Sequence, residues 1–262
     1  MNRFIAAIIV SVFPFASIAQ TPDTVFLEDL TWTEVRHAID SGVTTVIVPT
    51  AGTEQNGPHM VLGKHKYRMN AGAERIAREL GNTLVAPIMT YVPEGEIDPP
   101  EGHMRFAGTI SIPQDVFRDV VEYTARSLQA HGFKDILLIG DSGPNQSGMQ
   151  AVAEALTQEW DPEQTRIFYI SDWYRSDGFR DKLRSLGYTD PQIGTHAGLA
   201  DTSTLMYVAP DHVRPELMAP GQDGDGSGVY GDPTQATVEI GKIGFEMSVD
   251  AALSQIKQLM AK

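Results

Sequence analysis

The sequence predicts an α/β fold, a mainly parallel central sheet with helices on both faces, and three observations predict it. Short apolar runs recur along the chain and are nearly continuous in Val, Ile and Leu, as strands buried on both faces read. Amphipathic helical patterns follow most of them, the strand–helix alternation of a parallel sheet. Polar loops leave the strand ends, where open α/β sheets hold their ligands.

The elements follow in order. The opening "MNRFIAAIIVSVFPFASIAQ" has a basic start at Arg3, an apolar run too short to span a bilayer comfortably, and Ser17 and Ala19 before a cut. Residues 1–19 are expected to be a signal peptide, and 20–262 a single exported, periplasmic or secreted domain. Strands are expected at 44–48, 83–88, 136–139 and 166–170, with a short "GTISI" at 108–112. In "KYRMNAGAERIARELG", Met69, Ala73, Ile76 and Leu80 share one face and Gly81 can end the helix. In "PQDVFRDVVEYTARSLQAHG", Pro113 suits a helix start and Val116, Val120, Tyr123 and Leu128 are expected to share a face. "NQSGMQAVAEALTQEW" and "SDGFRDKLRSLGY" read likewise, and the last thirty or so residues read as a long helix weakened by Gly241 and Gly244.

Composition narrows the function classes. The 262 residues are 42% hydrophobic and 21% charged, enough for one large core. Cysteine is absent, which removes thiol nucleophiles, thiolate ligands and disulfides. A formal net charge of −14 argues against nucleic acid and anionic membrane, and favours a neutral or cationic small-molecule partner.

The polar residues that follow strands carry the chemistry. Glu54, His59 and His65 crowd the loop "GTEQNGPHMVLGKH", and Asp141 lies in "GDSGPNQ", which follows the apolar run "DILLI". Carboxylate and imidazole are the ligand types of zinc, manganese and iron. The ordinary alternative has His59 capping a turn and Lys64–His65 decorating a helix start. Gly140-Asp141-Ser142 after a strand also raises a serine nucleophile at Ser142, although no late histidine has the Asp-x-x-His spacing that class needs. His196 and Asp201 straddle a helix start in "GTHAGLADTS", either as proton carriers or as caps. His103, in the acidic, proline-rich "EGEIDPPEGHMRFAGT", is a cleft residue or a loop histidine, and Asp172, Trp173 and Tyr174 leave the fourth strand.

At these residues the chain resembles the creatininase (creatinine amidohydrolase) family. "VPTAGTEQNGPHMVLGKH" is similar to the opening E-Q-H-G-P-H-L-P-L-x-T-D, and "LLIGDSGPNQ" to L-V-N-G-H-G-G-N. "GHMRFAGTISI", "GTHAGLADTS" and "GVYGDPTQATVEIGKIGFE" resemble three further family motifs, so the likeness spans about residues 44–246. The resemblance implies a three-layer α/β/α, creatininase-like fold and a metal-dependent amidohydrolase cutting a cyclic or related small amide by metal-activated water. It also implies a homo-oligomer, commonly a hexamer. It implies two ions held by the opening Glu and first His, the closing Asp, and a His and acid of the second motif. Here Glu54 is kept, Asn56 replaces the His and His65 the Asp, while Asp141 or Ser142 falls at the second-motif His. The expected site is therefore one divalent ion, zinc or manganese, on Glu54, His65 and Asp141. His196 and Asp201 are expected to move protons, and Asn56, His103, Ser142, Trp173 and Tyr174 to contact substrate. A fold kept as an inactive binding protein is the competing expectation.

Overall fold

The computed structural model describes residues 22–175, 177–222 and 224–261; the expected signal segment lies outside them. Four strands form one sheet: β1 (Thr45–Thr50), β2 (Thr83–Val85), β3 (Asp135–Gly140) and β4 (Arg166–Ile170). Their order is β2-β1-β3-β4, and every pairing is parallel, with Thr45 beside Thr83 and Asp135, and Asp135 beside Arg166. Among the described residues the α-helices are α1 (Trp32–Asp40), α2 (Lys64–Leu80), α3 (Gln114–Ala130), α4 (Asn145–Glu159), α5 (Asp177–Ser185), α6 (Asp190–Ile193), α7 (Leu199–Val208) and α8 (Val238–Met260).

Alternation along each strand sorts the core into two layers, because successive side chains leave opposite faces. Val46, Val48, Ile136, Leu138 and Ile167 pack with Phe117, Val121 and Ala125 of α3 and Met149 and Val152 of α4. Ile47, Val85, Leu137, Ile139 and Ile170 pack with Met69, Ala73 and Ile76 of α2 and Phe245, Val249 and Ile256 of α8. Helices on both faces make the three-layer α/β/α fold.

Two local expectations change. "GTISI" makes only isolated bridges, Ile110 to Thr53 and Ser111 to Val92, because it crosses the strand ends instead of joining the sheet. On α3 the buried face carries Phe117, Val121, Ala125 and Leu128, while Val116, Val120 and Tyr123 lie outside. Both stripes are apolar at helical spacing, so the pattern defines two faces and packing selects the one with Phe117.

Gly81 closes α2 at φ 81°, the left-handed cap that glycine accepts readily. Gly241 lets α8 lie against α7, since a Cβ there would come 1.8 Å from the Ser203 carbonyl oxygen.

Candidate active site

The carboxyl ends of β1 and β3, the first turn of α2, the start of α7 and the loop around His103 enclose a cavity of about 440 Å³. Glu54, Lys64, His65, Arg68, His103, Asp141, Ser142, Trp173, Tyr174, His196 and Asp201 line it, with Phe179, Leu183, Ile193 and Tyr230 on the outer walls.

The structure brings Glu54, His65 and Asp141 into one chain of contacts. His65 Nε2 lies 2.7 Å from Glu54 Oε1, and His65 Nδ1 lies 2.7 Å from Asp141 Oδ2. Burial is the largest influence on this imidazole and opposes its charge, but the two carboxylates outweigh burial and hold its pKa above the ordinary value. A protonated His65 donates from both nitrogens and has no lone pair to offer an ion. Here the geometry differs from the expected ligand set. Asp141 is likewise engaged, accepting from His65 and from Trp173 Nε1 at 2.9 Å, and facing Arg68 at 3.4 Å. Burial would raise its pKa, but Arg68 and His65 overcome that and lower it.

A different trio converges with ligand spacing. One donor atom from each of Glu54, His103 and His196 lies within 4.8 Å of the others. His103 Nε2 is 3.1 Å from Glu54 Oε2, and His196 Nδ1 is 3.8 Å from Glu54 Oε1. Burial pushes His196 down to about 4 and also lowers His103, so both rings are neutral at neutral pH. Gln55 orients the two rings: its carbonyl accepts from His196 Nε2 at 2.9 Å, which leaves the Nδ1 lone pair facing Glu54, and its amide Nε2 donates to His103 Nδ1 at 3.1 Å, which puts the proton of that ring on Nε2 against Glu54. One carboxylate and two neutral imidazoles are the residue types of the open, three-ligand sets of catalytic ions, and His103 would join such a set by giving up its Nε2 proton.

The remaining expected residues have other work. Asp201 receives the Ala197 N–H at 2.9 Å, Lys64 at 3.3 Å and Arg68 at 3.1 Å. Burial opposes its ionisation, but the two cations hold its pKa far below the ordinary carboxylate range. It therefore stays ionised and serves to position, whereas the sequence suggested a proton carrier. Asn56 does not reach the cavity wall; its Nδ2 donates to the carbonyls of Glu54 and Val61 and shapes the loop. Trp173 is buried against Gly72 and braces Asp141, while Tyr174 is the more exposed wall residue. Ser142 Oγ donates to Glu94 Oε2 at 3.3 Å, so its partner is a carboxyl group and not the imidazole a serine nucleophile needs. His59 stands apart, with Nε2 2.9 Å from Thr202 Oγ1.

Sequence reasoning missed Lys64, Arg68, Gln55 and Glu94. Lys64 and Arg68 look like the polar side of α2, yet Lys64 is 1% exposed. Their signal is the buried stripe His65–Met69–Gly72–Ile76, which runs directly into them. Glu94 sits in a loop that reads as acidic surface, but it is buried; burial first, and the Glu54 charge second, push its carboxyl up to about 10. It is a neutral acid at physiological pH.

A parallel α/β sheet thus gathers carboxylates and histidines, residue types able to hold a metal ion, at its carboxyl edge. The chain belongs to the creatininase family: the profile of that family, described as creatinine amidohydrolase, matches residues 28–256. It is thus a creatininase-family amidohydrolase, one of the metal-dependent hydrolases of C–N bonds. It is 26% identical over 246 residues to the mycofactocin precursor peptide peptidase of Mycobacterium tuberculosis (strain ATCC 25618 / H37Rv), covering 82% of this chain and 86% of that one. It is 24% identical over 195 residues to the creatinine amidohydrolase of Pseudomonas putida, covering 72% of this chain and 74% of that one. A mutant creatininase structure of the Zn-Zn type aligns with TM-score 0.71 at 22% identity, over 90% of this chain and 98% of that one.

Proposed function

We propose that the protein hydrolyses the amide C–N bond of a small neutral or cationic substrate, a cyclic amide or a short peptide-like amide, with one zinc or manganese ion held by Glu54, His103 and His196. The observation that carries this reading is the convergence of that carboxylate with two imidazoles kept neutral by burial. Such an ion, when bound, supplies an acidified water and polarises a carbonyl oxygen.

The chain's own residues do the rest. Gln55 fixes both imidazoles, and Asn56 fixes the loop that carries Glu54. His65 holds a proton at Nε2 against Glu54 and is the group placed to return it to the departing nitrogen. Asp141, braced by Trp173 and Arg68, keeps that imidazole charged and oriented. Tyr174, Phe179, Leu183, Ile193 and Tyr230 form the walls that admit the acyl and amine portions and exclude bulk water. The peptidase and creatinine amidohydrolase relatives both act on C–N bonds, which supports the reaction class and leaves the substrate to the walls.

The proposal extends to setting. The opening segment supports an exported protein cut after Ala19, and mass spectrometry of the mature chain tests it. Exposed Trp32, Val116, Val120 and Tyr123 support a homo-oligomer, tested by its mass in solution. For the reaction, a panel of cyclic amides and short peptides should include a substrate whose cleavage stops on chelation and returns with zinc or manganese. A cleavage rate unchanged by chelation would contradict it.

A further inference from the structure

A fully buried lysine is costly unless its charge is matched. Lys64 Nζ lies 3.5 Å from Glu54 Oε1 and 3.3 Å from Asp201 Oδ2. One residue on, His65 joins Glu54 to Asp141 at 2.7 Å on each side. Four residues on, Arg68 joins Asp141 to Asp201 at 3.4 and 3.1 Å. The contacts close a ring: Glu54, His65, Asp141, Arg68, Asp201, Lys64 and back to Glu54. Acidic and basic groups alternate around it. The acids come from the β1–α2 loop, the end of β3 and the first turn of α7; the bases all come from the start of α2.

Carboxylates drawn together from separate elements are the setting in which proteins place divalent cations. Here each carboxylate already has a basic neighbour on both sides. On Glu54, Oε1 faces Lys64, His65 and, farther off, His196, and Oε2 faces His103. An ion entering between Glu54 and Asp201 would have to displace an ammonium tethered to the helix.

We propose that Lys64, seconded by Arg68, is a built-in substitute for a second divalent ion, so that the site holds a single ion and its remaining positive charge is part of the polypeptide. Lys64 is a positioning residue: its charge keeps Glu54 and Asp201 in place beside the ion. The inference rests on the one-ion reading of Glu54, His103 and His196, and its test separates the two.

The experiment counts ions per chain after saturation with Mn²⁺ and removal of free metal, and follows the unfolding midpoint with and without Mn²⁺. The wild-type protein should hold one ion. Lys64→Met, which removes the cation between Glu54 and Asp201 and leaves each with one basic neighbour in the ring, should hold two, with the second bound at least about tenfold more tightly than any second ion in the wild type. Its midpoint should rise with Mn²⁺ by more than that of the wild type. A Lys64→Met protein that folds only when Mn²⁺ is supplied supports the same conclusion. Lys64→Met/Asp201→Asn removes both partners and should fold with one ion; a second ion there would overturn the assignment. Two ions in the wild type, or one in both the wild type and a folded Lys64→Met, also overturn the substitution. One ion in both leaves the single-ion reading standing. No ion in the wild type with one in Lys64→Met removes the single-ion reading and keeps the substitution.

Discussion

His65 is the residue on which the sequence and the structure differ most instructively. A histidine near a glutamate reads as a ligand, because both residue types bind metals. What sets it apart is a buried carboxylate 2.7 Å from each nitrogen, and one of the two belongs to Asp141, seventy-six residues away in the chain. Glu54 and His196 were legible because a strand end and a helix start bracket them. Lys64 and Arg68 were not, since a lysine is almost always solvated and only burial in the fold shows otherwise. Replacing His65 with Gln should lower the hydrolytic rate by roughly 10²–10⁴-fold, the usual worth of a positioned acid or base, with ion content retained. Steady-state kinetics beside metal analysis checks this; lost metal would make His65 a ligand. The buried histidines also set a pH dependence. His59 is pushed by burial from 6.5 down to about 4, so between those values the unfolded chain binds the additional proton. Its contribution to stability is full above about pH 6.5 and is lost as the pH falls toward 4. His59→Gln should flatten that acid limb, read from unfolding midpoints between pH 7 and 4.5 or so. His65 has the opposite sign: its contribution is full below 6.5 and lost as the pH rises through its elevated pKa.

At the level of elements, β3, β4, α2 and the long α8 were readable because strand alternation and helical spacing are local properties. The inward face of α3 was not, since Val116–Val120–Tyr123 and Phe117–Val121–Leu128 are equally apolar stripes and only the sheet distinguishes them. Gly241 and Gly244 read as weak points in α8, yet both are close-approach positions, against the Ser203 carbonyl and the Phe179 ring. Gly72 is the same device on α2: a Cβ there would meet the Trp173 ring at 2.2 Å. Gly72→Ala should cost about 1–3 kcal/mol, the usual range for overpacking, because the ring must shift and loosen its bond to Asp141. Gly241→Ala should cost more, since its neighbour is backbone. Urea unfolding of the two variants tests the ranking, and equal or negligible losses would contradict it.

For the whole molecule, the parallel sheet collects residues from distant segments at one edge, and its family membership accounts for that scaffold. The acidic surface and the charge-matched interior are separate matters: −14 overall coexists with a site whose buried carboxylates are paired with Lys64, His65 and Arg68. Bulk composition therefore described the solvent shell and not the cavity. The proposed ion set was hidden for a related reason, because His103 arrives from a loop that reads as surface. The central claim is that Glu54, His103 and His196 hold the ion. The measurement that tests it most directly is the metal content of the purified protein beside a folded His103→Ala/His196→Ala variant. The account predicts one zinc or manganese per wild-type chain and almost none in the variant; full metal content in the variant would contradict it.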